Sequence, residues 1–417
     1  MTGRDGFLDA ARWGLLALLV FGPITGLVLD GYQVVVHWQQ PVWLAALVFG
    51  GRLLLNGLLA TGPGQRLARR LARGRAGGSV LVVAGGRGHG RIWILILLAL
   101  LSLALPFALS KYWINVATLA LIYVLLGLGL NIVVGLAGLL DLGFVAFYAV
   151  GAYGYALGHQ YLDLGFWQAI PFCAFLAACF GAVLGFPVLR MHGDYLAIVT
   201  LGFGEIIRLI LNNWVEFTGG PNGVRVPHPS LFGLDFARRA KEGGATFHGY
   251  FDLPYSADHR VIFIYLVLLL MVMAMVHVVV RLRRMPIGRA WEALREDEIA
   301  CRSLGINHVG IKLSAFAMGA TVGGVGGVFF AASQGFVSPA SFTFFESALI
   351  LAVVVLGGLG STVGVIIAAL VLTILPEVLR EFADYRILVF GLAMVLMMVW
   401  RPRGLLGLRR QAYGVDP

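Results

Sequence analysis

The chain is a series of long apolar runs separated by shorter polar stretches. Twelve hydrophobic segments can be read along it, near residues 13–30, 41–60, 92–110, 113–134, 139–158, 167–189, 195–214, 260–280, 313–333, 341–357, 361–379 and 386–400. Because about 20 apolar residues in a helix cross a bilayer, the pattern predicts an all-α polytopic membrane protein with about ten to twelve spans. Segments 139–158 and 341–357 are glycine-rich or short, so either can be broken or re-entrant.

The polar stretches divide the chain into regions. Residues 1–63 form a predicted two-span N-terminal unit, 64–91 a basic linker, 92–400 a core and 401–417 a tail. The core is interrupted by a long loop at 215–259 and by a highly charged region at 285–312. The tripeptide GFV occurs at 143–145 and again at 335–337, which suggests inverted internal repeats of five spans each.

Composition agrees with a membrane protein, since only 12% of the residues are charged, against roughly 25% in soluble domains. The net charge of +10 would suit nucleic-acid binding, but its distribution argues against such a partner. Seven basic residues lie in 64–91, seven in 281–312 and four in 401–410, all on one side if the segments alternate. By the positive-inside rule both termini are cytoplasmic and the 215–259 loop is external. The first apolar run lacks a small-residue cleavage site and predicts a span rather than a cleaved signal peptide.

The charged region has the features of a short amphipathic helix. Pro286 suits a first helical position, and Gly305 suits a helix end. Glu292 with Arg295, and Glu298 with Arg302, have the spacing of local ion pairs. One interpretation is a solvated loop helix. The other is a coupling helix that docks into a groove on a soluble motor. The candidate ATPase-coupling residues are Pro286, Gly288, Glu292, Ala293, Leu294, Arg295, Glu298 and Gly305.

Ionisable residues within the apolar segments are candidates for a translocation path or gate. Glu205 and Arg208 are spaced i,i+3, which predicts a mutual pair facing other helices, with gating or path lining as the alternative. Asp141 and Asp194 stand where helix N-caps are expected. Glu346 can compensate a helix dipole or form a polar group at the pore mouth. The full candidate set is Asp141, Gly143, Asp194, Tyr195, Glu205, Arg208 and Glu346.

Other motifs bear on which chemistry the chain can perform. The three cysteines and nine histidines lack ligand spacing, so neither a metal nor a disulfide is expected. The glycines at 138, 143, 151 and 154 and the clusters at 323–327 and 357–361 predict close helix packing rather than nucleotide binding. A phosphate-binding Walker A loop needs Gly-Lys, but the three lysines follow Ser110, Ala240 and Ile311. Any ATP hydrolysis must therefore come from other subunits.

Several segments carry a family resemblance. EALREDEIACRSLGI at 292–306 resembles the cytoplasmic EAA-type loop of ABC importer permeases, in particular the branched-chain amino acid permease family. GLLDLGFVAFYAVGAY (138–153), GDYLAIVTLGFGEIIRLILNN (193–213), FTGGPNGV (217–224), SPASFTFFESALILAVVVLGGLGS (338–361), LPEVLREF (375–382) and WRPRGLL (400–406) resemble the same family, and the N-terminal pair of spans resembles its larger, M-type subunits.

The resemblance implies a function and an assembly. It implies an importer of leucine, isoleucine and valine in a bacterial inner membrane, with a second homologous permease, two ABC ATPase subunits and a periplasmic binding protein as partners. This chain would bind no cofactor, because its ATPase partners would use the ATP and magnesium. The competing hypotheses are an autonomous ion-coupled carrier and, third, a membrane-embedded enzyme. A carrier would transport without ATPases, and an enzyme would need a convergent catalytic set that the sequence does not display.

Overall fold

The computed structural model describes residues 27–30, 33–36, 102–106, 109–188, 191, 194–231, 234–236, 245–250, 256, 258–378, 391, 395 and 404. The chain divides into two compact units, Met1–Arg91 and Ile92–Pro417.

The described part of the first unit is a β-hairpin. Strand β1 (Leu27–Asp30) pairs antiparallel with β2 (Gln33–Val36), with Leu27 opposite Val36 and Asp30 opposite Gln33. The predicted span 13–30 is therefore wrong at its last four residues. The missed signal is local, since Gly-Tyr between two apolar runs has the Gly-X sequence that favours a two-residue hairpin loop.

The second unit is a helical bundle. Its helices are α1 (Lys111–Leu130, continued by a π-helical turn at Asn131–Leu136), α2 (Val145–Leu162), α3 (Phe166–Val188), α4 (Asp194–Asn213), α5 (Val215–Thr218), α6 (Phe247–Tyr250), α7 (Asp258–Arg284), α8 (Pro286–Glu296), α9 (Glu298–Ser303), α10 (His308–Gln334), α11 (Phe344–Gly357) and α12 (Thr362–Val378). Short 3-10 turns occur at Gly220–Asn222 and Pro339–Ser341.

These helices confirm the predicted fold class, an all-α multi-pass membrane protein. Six helical segments in the described part are long and apolar enough to cross a membrane. Eight of the predicted segments correspond to α1–α4, α7 and α10–α12, whereas 13–30, 41–60, 92–110 and 386–400 lie wholly or mostly outside the described residues. Inverted repeats and the remaining region boundaries stay predictions.

Two helices begin later than predicted. Helix α2 starts at Val145, so residues 139–144 of its segment are not helical. Helix α11 starts at Phe344 and has 14 residues, a length of about 21 Å at 1.5 Å per residue. That is shorter than the hydrocarbon core of about 30 Å.

Short strands gather at one end of the bundle, here called the loop end. Strands β3 (Val224–Arg225) and β7 (Phe336–Val337) are antiparallel, while β4 (Ser230–Leu231) pairs antiparallel and β6 (Ala245–Thr246) parallel with β5 (Leu234–Asp235). The Trp167 indole donates to the Ser230 carbonyl at 3.1 Å, and the Tyr155 hydroxyl donates to the Pro227 carbonyl at 3.1 Å. The start of the long loop therefore lies over the ends of α2 and α3.

Helix α10 is central and packs against α1, α2 and α3. Its glycines bring backbones into contact: a Cβ at Gly327 would lie 2.2 Å from the Tyr148 carbonyl oxygen, and one at Gly151 would lie 2.0 Å from that of Gly324. In a bilayer, where the hydrophobic effect does not drive helix association, such close approach supplies much of the packing energy. The prediction that these glycines serve close helix packing is confirmed.

Replacing Gly151 by alanine tests this contact. Because the added methyl group would overlap backbone atoms of α10, we expect Gly151→Ala to lower the unfolding free energy by about 1–3 kcal/mol. Gly202→Ala in α4 is the matched control, since no atom of the described residues lies within 4 Å of the Cβ position there. Thermal denaturation of the purified protein measures both variants, and equal melting temperatures would contradict the packing assignment.

Candidate functional site

The charged region folds into two helices rather than the single helix expected over 286–305. Pro286 is the first residue of α8, as predicted, but the helix stops at Glu296 because Asp297 is extended, with φ −158°. The Asp297 carboxylate accepts from the amides of Ile299 at 2.8 Å and Ala300 at 3.0 Å, which caps α9. Gly305 follows in the left-handed conformation, with φ +75°, and α10 begins at His308.

The apolar face of α8 points into the protein itself. Trp291 is fully buried and its indole donates to the Ser314 hydroxyl of α10 at 3.0 Å. Leu294 is also buried, and a Cβ at Gly288 would lie 2.3 Å from the Leu282 carbonyl oxygen. Gly288 and Leu294 belong to the predicted ATPase-coupling set. In this chain they pack against the bundle, and their role in coupling stays a prediction.

Two arginines fix α8 to the bundle. Glu292 binds the Arg283 side chain at the end of α7, with an N–O distance of 2.7 Å. Arg295 donates to the Gly135 carbonyl in the π-helical turn after α1. The salt bridge that the structure describes for Glu292 therefore joins two helices, and the predicted partner Arg295 instead contacts α1.

A buried lysine fixes α9. The Lys312 ammonium lies 2.8 Å from the Glu298 carboxylate, and its side chain is only 2% exposed. Glu298 also binds Arg302 at 2.7 Å, the local pair that the spacing predicted. Removing one partner of such a buried pair leaves a desolvated charge, so Lys312 holds α9 against the start of α10. The sequence offered no signal for this role, because Lys312 precedes an apolar run like any residue at a span boundary.

The opposite side of α8 and α9 faces away from the bundle, and we call it the docking surface. Its exposed residues are Pro286, Ile287, Arg289, Glu296, Ile299, Arg302, Leu304 and Gly305. Ile299 is 77% and Leu304 78% exposed. Glu292, Ala293, Arg295 and Glu298 are half-buried at its edge. The surface combines apolar anchors with charges of both signs, as protein interfaces do. Ile299 was not singled out from the sequence.

The candidate path residues do not form one cluster. Near the start of α2, the Leu142 amide donates to the Thr200 hydroxyl of α4 at 3.0 Å. A Cβ at Gly143 would lie 1.9 Å from the Thr200 carbonyl oxygen. Asp141 is fully buried and accepts from the Gly143 amide at 2.9 Å. It therefore stabilises the link between α2 and α4. The expectation that Asp141 is the N-cap of α2 is wrong, because Phe144 occupies that position.

Helix α4 carries an ion pair on its outer surface. Glu205 and Arg208 bind each other as predicted, but their side chains remain 41% and 30% exposed. Tyr195, Ile198 and Ile206 of the same helix are also exposed. The pairing is confirmed, and the expectation that the pair faces other helices stays a prediction. Since charges are costly in contact with lipid, this face needs protein or water against it. Asp194 begins α4, and its side chain lies outside the described residues.

Glu346 joins α11 to α1. The Tyr123 hydroxyl donates to its carboxylate at 2.6 Å, across 223 residues of sequence. Glu346 also lies in the first turn of α11, where a carboxylate is favourable to the helix dipole. Both predicted roles, dipole compensation and a polar group on the path, are compatible with this geometry.

Comparison with known proteins identifies the family. A family described as "Branched-chain amino acid transport system / permease component" matches residues 112–399, which cover helices α1 to α12 except for Lys111 at the start of α1. The chain belongs to this family of permeases. A separate domain family of unknown function matches residues 6–102. No solved structure matches the permease.

Curated relatives agree with the family. The permease is 50% identical to "High-affinity branched-chain amino acid transport system permease protein LivM" of Escherichia coli K12 over 97% of this chain and 94% of that protein. It is 56% identical to the protein of the same name from Salmonella typhimurium, over 76% and 75% of the two chains. It is also 26% identical to the LivH permease protein of Escherichia coli K12, over 70% of this chain and 94% of that one.

The role assigned to Lys312 can be tested in the permease alone. Lys312→Met leaves Glu298 without its buried partner, and we expect α9 to lose about 1–3 kcal/mol of local stability. Amide hydrogen exchange at residues 298–303 should then become about fivefold faster or more. Lys111→Met, at the exposed start of α1, is the matched control. Unchanged exchange in Lys312→Met would show that other contacts hold α9.

Proposed function

We propose that this permease is one membrane subunit of an ATP-driven importer that moves leucine, isoleucine and valine into the bacterial cytoplasm. Two separate ABC ATPase subunits would hydrolyse ATP, using magnesium, and this chain would bind no cofactor of its own. A periplasmic binding protein would deliver the substrate, and a second homologous permease would complete the pore. The reaction of this subunit is transport, not catalysis.

The observation that carries the proposal is the docking surface. It exposes Ile299 and Leu304 on helices that Arg283, Arg295 and Lys312 fix to three different parts of the bundle. A displacement of α8 and α9 by a partner would therefore reach α7, α1 and α10 together. Because the chain contains no Gly-Lys sequence, a partner that drives this displacement with ATP must carry its own phosphate-binding loop.

The charge pattern supports an orientation in the membrane. Arg281, Arg283 and Arg284 lie in the last turn of α7, directly before the docking surface, which itself contains Arg289. By the positive-inside rule this region belongs in the cytoplasm of the cell. The loop end then faces the periplasm, where β3, β7 and the 215–259 loop would meet the binding protein. With both termini on the cytoplasmic side, the protein would be a multi-pass protein of the inner membrane.

The exposed face of α4 supports the second permease. An ion pair and aromatic and aliphatic side chains lie together there, and lipid is a poor environment for the ion pair. We place the homologous subunit, or the water-filled path between the two, against Tyr195, Glu205 and Arg208. The LivH relatives are proteins named as permeases of the same kind of system.

An autonomous ion-coupled carrier is the second candidate function. It is favoured by Glu346, a carboxylate at an apolar helix that is bound by the neutral hydroxyl of Tyr123. Intramembrane carboxylates of this kind serve as ion or proton sites in carriers.

Reconstitution separates the two candidates. The permease is placed in sealed vesicles with the second permease, the ATPase subunits and the binding protein, and leucine uptake is measured. We expect uptake that requires ATP and disappears when the ATPase subunits are omitted. Leucine accumulation by the permease alone, driven by a proton or sodium gradient, would overturn the importer assignment.

Gly305→Trp tests the docking surface within that assay. No atom of the described residues lies within 4 Å of a Cβ at position 305, so the indole ring would stand in the space where the ATPase is proposed to bind. We expect coupled uptake to fall about tenfold, an interface loss of about 1.4 kcal/mol or more. Gly305→Ala also places a side chain at φ +75° but adds only a methyl group. We therefore expect it to take up leucine far faster than Gly305→Trp. Equal activity of both variants would contradict docking at this residue.

A further inference from the structure

The π-helical turn at the end of α1 contains a buried amide with an unusual set of contacts. Asn131 is fully buried, and its side-chain oxygen accepts a hydrogen bond from the Gly360 amide at 2.8 Å. Gly360 lies in the turn between α11 and α12, 229 residues away along the chain. The side-chain nitrogen of Asn131 is buried and makes no hydrogen bond within the described residues. A polar side chain held at this depth needs a reason beyond packing, because its desolvation opposes folding.

The same π-helical turn also contacts helix α8. Gly135 offers its carbonyl to Arg295 of α8, one turn after Asn131. A Cβ at Gly135 would lie 2.0 Å from the Asn131 side-chain oxygen and 2.5 Å from the Gly360 amide nitrogen. Only glycine at position 135 therefore lets the Asn131 side chain reach the Gly360 backbone amide. Gly360 itself has φ +81°, a conformation that favours glycine.

These contacts form a continuous connection from α8 to the turn between α11 and α12. Arg295 binds the carbonyl of the π-helical turn, Asn131 of that turn binds Gly360, and α11 leads from there to Glu346 near the loop end. π-Helical turns are rare, and they occur frequently at functional sites because the extra residue can shift register. Coupling between two sites requires an element between them that has two arrangements.

We propose that Asn131 is a positioning residue that passes the movement of α8 to the turn between α11 and α12. This inference rests on the proposed function, in which an ATPase displaces α8. The hydrogen bond to Gly360 makes the turn follow α8, so that α11 and its Glu346–Tyr123 contact shift during each cycle.

The first test compares Asn131→Leu with Asn131→Asp in the reconstituted importer. Leucine cannot accept the Gly360 hydrogen bond, whereas aspartate keeps an acceptor oxygen at the same place. We expect Asn131→Leu to assemble and hydrolyse ATP but to move about fivefold fewer leucine molecules per ATP. Asn131→Asp should restore most of that ratio. Thr118→Val is the matched control, because its equally buried hydroxyl binds Ile114 within the same helix.

A merely structural role would lower the stability of Asn131→Leu and leave the transport ratio of the assembled protein unchanged. That result would overturn the proposal. If instead the wild-type complex showed no ATP-dependent uptake, the proposed function would fail and Asn131 would not be the cause.

A distance measurement serves if Asn131→Leu does not fold. Spin labels are placed on exposed positions of the wild-type background outside the docking surface, at Met285 directly before α8, Leu359 in the turn and Leu162 at the end of α2. On ATP binding we expect the 285–162 distance to change and the 285–359 distance to stay constant. A change in the 285–359 distance of more than about 5 Å, one helical turn, would contradict the connection through Asn131. If neither distance changed, α8 would not move and the proposed function would fail.

Discussion

Backbone contact between α10 and its neighbours is the constraint on which the rest of the structure depends. Glycines at 151, 324 and 327 bring α2 and α10 together closely enough that a methyl group would overlap backbone atoms. Helix α10 also connects the two ends of the bundle. Ser314 near its start receives the Trp291 indole, and β7 directly after its end pairs with β3 of the long loop. Interdigitated backbones deform little, so a displacement at one end is carried to the other.

Side chains of the charged region point in two opposite directions, toward the bundle and away from it. Trp291, Leu294 and the salt bridges of Glu292 and Lys312 hold α8 and α9 to the bundle. Ile299, Leu304 and Arg302 point away from it. A surface that is both firmly anchored and chemically exposed suits a mechanical contact, because a loose helix would absorb the displacement instead of transmitting it. Two hydrogen bonds extend this anchoring: Arg295 binds Gly135 of the π-helical turn, and Asn131 of the same turn binds Gly360 between α11 and α12.

The sequence predicted what depends on local spacing. Apolar runs located eight of the described helices, and the i,i+4 pair of Glu298 with Arg302 formed as expected. Orientation was harder, because an amphipathic helix has an apolar face whether its own chain or a partner covers it. For this reason the spacing did not show that Gly288 and Leu294 pack against the bundle. Glu205 and Arg208 form the ion pair that their spacing predicted, but periodicity does not reveal that α4 lies at the edge of the bundle. The bonds Asn131–Gly360 and Tyr123–Glu346 join residues more than two hundred positions apart and leave no local signal.

Cysteine protection tests the central claim, that α8 and α9 present a surface for a soluble motor. Ile299→Cys and Leu304→Cys are labelled with a water-soluble maleimide, with and without the ATPase subunits, and Leu162→Cys at the opposite end is the control. We expect the ATPase subunits to slow labelling at residues 299 and 304 about tenfold and to leave the labelling rate at residue 162 unchanged. Labelling of all three positions at the same rate in both preparations would contradict it.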